Sequence, residues 1–117
     1  MIEIRVVLEE IRKEERARAE VLTFKTVEGE LRQKVELPIG LWRGRVNERY
    51  YIKVLKSKSI NEKTLILLSG YIWSIKKEKN HIRIEINFHG LWGVLQVSEE
   101  IKELREGDKV YLSVEKE

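Results

Sequence analysis

Residues 65–97 read LILLSGYIWSIKKEKNHIRIEINFHGLWGVLQV, and their period of two decides the fold. Ile82, Ile84, Ile86 and Phe88 oppose Arg83, Glu85 and Asn87, the pattern of a strand with one face inward and one face wet. Elsewhere in the stretch, apolar residues occupy both faces. Leu65, Leu67, Tyr71, Trp73 and Ile75 hold one parity, while Ile66, Leu68 and Ile72 hold the other. Leu91, Leu95 and Val97 similarly face away from Trp92 and Val94. A barrel wall has one face in its own core, so the second must be covered by a packed loop, a helix or another protein.

The same alternation recurs outward from this stretch. Ile2, Ile4, Val6 and Leu8 alternate with Glu3, Arg5, Val7 and Glu9, and Leu31, Gln33, Val35 and Leu37 with Arg32, Lys34 and Glu36. Val110, Leu112 and Val114 alternate with Lys109, Tyr111, Ser113 and Glu115. Tyr50, Ile52 and Val54 define another strand face, with Tyr51 and Leu55 on its partly apolar reverse. Residues 18–27 read as a strand whose alternation slips at Val21 and Leu22, as at a bulge, before a turn at Glu28 and Gly29. Residues 10–19 carry helix-favouring Glu, Lys, Arg and Ala, but their neighbours look paired. A strand end and a turn around residues 13–16 is therefore expected, with a short helix as the alternative. One helix of at most two turns is expected before the last strand, capped by Ser98, favoured by Glu99 and Glu100, with Ile101 and Leu104 on one face and Gly107 ending it. The sum is an all-β single domain spanning residues 1–117, a small barrel of about eight strands with one short helix. Closure removes the exposed edges of a flat sheet.

Composition narrows the chemistry. A chain of 117 residues can build its own core without a staple. It contains no cysteine, which excludes disulfides, thiol catalysis and thiolate metal sites. Residues 65–75, interrupted by Ser69, Gly70 and Ser74, are far short of the ~20 needed to cross a bilayer, and no secretory signal pattern opens the chain. A cytoplasmic setting is expected, and the wealth of Glu, Lys and Arg fits a hyperthermophile. The net charge of +3 is a weak pointer to nucleic acid.

Charge distribution says more. Arg43, Arg45, Arg49, Lys53, Lys56 and Lys58 face a lone Glu48 within residues 43–58. With Trp42, Tyr50 and Tyr51 this run offers phosphate attraction and base stacking, although such residues equally decorate ordinary strands and loops. Tyr71, Trp73, Leu91 and Trp92 are the candidate protein interface, because tryptophan and tyrosine anchor interfaces; a thick aromatic core is the plainer reading. His81 and His89 lie near turns without any HExxH, CxxC or nucleophile-elbow pattern, and no glycine-rich phosphate loop occurs. No catalytic residue, metal ligand, cofactor or small-molecule substrate is expected.

Gly70-Tyr71-Ile72-Trp73, then residues 84–91 (IEINFHGL) and residues 107–112 (GDKVYL), resemble the C-terminal half of the eighth-subunit family of archaeal and eukaryotic DNA-directed RNA polymerases. The resemblance spans about residues 65–114 and is nearer to the archaeal members, since His89-Gly90 stands where eukaryotic members commonly carry two glycines. It implies an eight-stranded barrel of the oligonucleotide-binding (OB) type, used as a non-catalytic module that docks on the largest polymerase subunit. Nucleic acid is then met through the assembly. The alternative is an autonomous single-stranded nucleic-acid-binding barrel working through the basic run.

Overall fold

The computed structural model describes residues 2–98 and 101–117. Each alternating segment becomes a strand: β1 (Ile2–Glu14), β2 (Ala19–Thr26), β3 (Arg32–Pro38), β4 (Arg49–Leu55), β5 (Thr64–Lys77), β6 (Ile82–Phe88), β7 (Leu91–Val97) and β8 (Lys109–Lys116). They close into an OB-like barrel in the order β1-β2-β3-β7-β6-β5-β8-β4, every neighbouring pair antiparallel.

Closure depends on the two long strands. The first half of β1 pairs with β4 and the second with β2; β5 passes likewise from β8 to β6. Each long strand carries an extra residue in its second half, at Glu9 between Leu8 and Glu10 and at Trp73 between Ile72 and Ser74. Such bulges bend and twist a strand locally, which a small barrel requires. Where β5 changes partner, Gly70 lies so close to the Asn87 carbonyl that a Cβ would collide with backbone. The slip expected within residues 18–27 thus belongs to the opposing strand: β2 runs unbroken and β1 holds the extra residue. Residues 10–14 continue β1, and a turn at residues 15–18 follows.

Inward side chains such as Leu8, Phe24, Ile52, Ile84, Leu95 and Leu112 have no solvent exposure. Each contributes on the order of 1.5–3 kcal/mol by leaving water. Residues 39–48 link β3 to β4 at one end of the barrel. From this loop Trp42 turns inward, its ring edge-on to Phe24 (6.2 Å) and to Tyr50 (5.3 Å). The Tyr50 hydroxyl accepts from the Arg45 amide at 2.8 Å and donates to the Arg45 carbonyl at 3.2 Å, which fixes the loop over the barrel end.

The expected helix is a correction. No helix occurs among the described residues; residues 101–107 form bends and a turn, and Glu99 and Glu100 lie outside the described residues. Two turns are too short to sustain themselves in water. Tertiary contacts decide the segment instead. Leu104 is buried, Ile101 packs against the core, and the Glu106 carboxylate accepts the Ile75 amide at 2.9 Å. Gly107 does take a positive φ of 90°, but in a turn where the Asp108 carboxylate accepts the Arg105 amide.

Candidate interaction surface

The outer wall over β5, β6 and β7 collects the exposed aromatics. Parity and the bulge together put them there. Ile66 and Ile72 point inward, so Tyr71 points outward; the extra residue at Trp73 then lets Ile75 turn back to the core. Tyr71 is 52% exposed and Trp73 66%. Asn87 stands opposite both Tyr71 and Trp92, so these three side chains form one rung across three strands. The indoles of Trp73 and Trp92 meet edge to face at 5.8 Å and 88°. An edge-to-face pair contributes about 0.5–1.5 kcal/mol beyond its buried area, which orders an otherwise free indole.

Two further features hold this wall in place. His89 and Gly90 both take positive φ, 55° and 99°, the requirement of a two-residue type I′ hairpin between β6 and β7. The Asn87 carboxamide oxygen accepts the Gly90 amide at 3.1 Å. On the other side, β3 pairs with β7 only from Gln33 to Val35, and the Glu36 carboxylate then accepts the Trp92 amide at 2.7 Å. Glu36 is a functional neighbour the sequence did not single out, since a carboxylate on an alternating strand looks like ordinary wet surface. Tyr111 is another. It continues the outer face on β8, half-buried, opposite Ser69, with the Lys109 ammonium 5.7 Å from its ring centre.

Of the candidate interface residues, Tyr71, Trp73 and Trp92 are therefore brought together, whereas Leu91 is half-buried and packs against the core. The candidate nucleic-acid residues are dispersed. Trp42 and Tyr50, only 8% and 1% exposed, are core side chains with no face left for a base. Tyr51 is half-buried on the outside of β4. Lys53 bridges Glu115 at 3.2 Å and Glu3 at 3.6 Å, and hydrogen bonding to Glu115 holds its ammonium above the usual lysine range. Lys56 reaches Asp108 at 3.4 Å and Arg49 reaches Glu117 at 4.0 Å. Arg43 and Arg45 remain exposed, without an ion pair among the described residues.

His81 approaches Glu78 at 3.7 Å and the Gln96 carboxamide at 3.3 Å, and His89 occupies the hairpin turn. Among the described residues no group of three or more His, Asp or Glu side chains is placed to hold a metal ion. A cavity of about 430 Å³ opens at the end of the barrel opposite Trp42, between Ile4, Thr26, Leu31, Gln96 and Ile101.

No protein-family model matches the chain, and no curated protein matches it. Among solved structures the chain is similar to the cytoplasmic molybdate-binding protein ModG, in a crystal form with molybdate bound. The TM-score is 0.45 at 8% identity, over 97% of this chain and 89% of that one.

Proposed function

We propose that the barrel is a non-catalytic docking module that binds a larger protein through Tyr71, Trp73 and Trp92. The exposure of Trp73, lifted out of the wall by a bulge and ordered against Trp92, is the observation that carries this reading. Large, well-ordered aromatics rimmed by polar residues are typical interface anchors. The rim here is supplied by Glu36, Asn87 and the Arg83–Glu85 ion pair. The resemblance over residues 65–114 names the partner in this proposal as the largest subunit of an archaeal DNA-directed RNA polymerase, in the cytoplasm. Affinity purification of the tagged protein from native extract after nuclease treatment tests it. Near-stoichiometric recovery of the large polymerase subunits supports the reading, and recovery of the barrel alone refutes it.

The same exposed aromatics favour a second reading, an autonomous single-stranded nucleic-acid binder. Bases would then stack on Tyr71 and Trp73 with Lys109 nearby, on a different surface from the run around Trp42. This reading requires tryptophan quenching by oligothymidylate that weakens steeply with salt. A flat response across salt concentrations removes it.

A further inference from the structure

The chain has ten arginines, and among the described residues five of them (Arg5, Arg12, Arg32, Arg49 and Arg83) form ion pairs. Of the other five, four lie in two adjoining loops: Arg16 and Arg18 in the β1–β2 turn, Arg43 and Arg45 in the β3–β4 loop. The Ile39 amide donates to the Arg18 carbonyl at 3.2 Å, and the Gly40 amide to the Glu20 carboxylate at 2.8 Å, which seats one loop beside the other. All four guanidinium groups are exposed and have no carboxylate partner among the described residues, in a chain with 20 acidic side chains. Among them stand three exposed aliphatic residues, Ile39, Leu41 and Val46.

We infer that this end of the barrel is a second docking surface, and that its partner is an acidic protein segment carrying aliphatic side chains. Charge complementarity calls for an anionic partner. The choice between anions rests on two observations. The basic side chains of the two loops are all arginine and outnumber the acidic Glu15 and Glu48 there four to two; the planar arginine fork grips carboxylates bidentately, and arginine is enriched at protein interfaces where lysine is depleted. Its interleaved apolar residues are aliphatic, while Trp42 and Tyr50 face inward, so bases find no ring to stack on. The four arginines take the carboxylates; Ile39, Leu41 and Val46 receive the apolar side chains. Because Trp73 lies on the wall of β5 and these residues in end loops, the two surfaces are separable.

The test uses the full chain and three fluorescein-labelled probes: a short peptide of alternating acidic and leucine residues, the same peptide with serine for leucine, and oligothymidylate. The leucine peptide is expected to bind at least about tenfold more tightly than either other probe, a difference of about 1.4 kcal/mol. Replacing all four arginines by glutamine is expected to abolish that binding without moving the melting temperature, since the side chains are exposed and unpaired. Arg43→Lys with Arg45→Lys keeps the charge and is expected to lose several-fold. The Trp73→Ala variant should bind the peptide as the parent does, so a failure here is distinct from a failure of the aromatic wall. Equal affinity for both peptides, tighter binding of oligothymidylate, or no saturable binding of the leucine peptide would each overturn the inference.

Discussion

Trp73 and Trp92 meet edge to face on the outside of the barrel, 5.8 Å between ring centres, although they lie on β5 and β7 with β6 between them. The bulge brings them within reach. It adds one residue to β5 opposite Ile86 and Glu85, and that residue is Trp73. A side chain ordered in this way, yet two-thirds exposed, has most of its apolar surface still in water. Trp73→Ala is therefore expected to lower stability by about 1–3 kcal/mol, the aromatic-pair contribution together with the third of the side chain that is buried. The same variant is expected to weaken docking at least tenfold, as measured by thermal melting beside a binding titration.

Trp42 predicts the opposite. Its ring is packed on Phe24 and Tyr50 at the closed end of the barrel, so Trp42→Ala should cost about 3–5 kcal/mol. Acrylamide quenching separates the two environments without a large perturbation. Removing Trp73 should delete the most quenchable part of the emission, and replacing Trp42 by Phe should delete a shielded, blue-shifted part.

Gly70 sits where β5 leaves β8 for β6, against the Asn87 carbonyl. Gly70→Ala forces backbone against backbone, which a rotamer change cannot relieve. The expected cost is at least about 1–3 kcal/mol in a denaturant midpoint. Gly90→Ala meets no neighbouring atom, and its cost arises only from the positive φ of the hairpin.

Stability should fall in alkali. Burial raises the Tyr50 phenol above its ordinary range, and the Glu115 hydrogen bond raises the Lys53 ammonium above its own. In both cases the folded state holds its proton more tightly than the unfolded chain does. Their contribution is thus full below about pH 10 and is lost as pH rises through the folded-state values. In a tyrosinate absorbance titration Tyr50 should ionise only together with unfolding. Tyr50→Phe should remove that coupling, together with the loop's two hydrogen bonds to the hydroxyl.

Eight strands and their inward residues were legible because period-two patterning records burial directly, from Ile2 and Val6 to Leu112 and Val114. The helix expected at residues 98–107 was not. Its local propensities were real, but the burial of Leu104 and the Glu106 contact to the Ile75 amide are tertiary and invisible in a linear reading. Strand parity also misses inserted residues. Tyr71 and Ile75 share a parity in the sequence yet lie on opposite faces of the wall, because Trp73 adds one residue between them. The basic run misled for a different reason. Arg43, Arg45 and Arg49 surround Trp42 and Tyr50 in sequence, and nothing local says that the two rings turn inward while the charges stay outside. The aromatic wall was readable as an excess of apolar residues; the arginines at the barrel end became a cluster only once the β1–β2 turn was seen beside the β3–β4 loop.

The central claim is that the face around Trp73 contacts a protein, and site-specific photocrosslinking tests it most directly. A benzophenone amino acid would replace Trp73, or as a control Tyr51 on the outside of β4, with irradiation in living cells followed by mass spectrometry of the adducts. Docking through the wall predicts an adduct from position 73 with one large polypeptide, the largest RNA polymerase subunit, and little from position 51. Adducts from position 73 that disappear with nuclease, or equal yields from both positions, would contradict it.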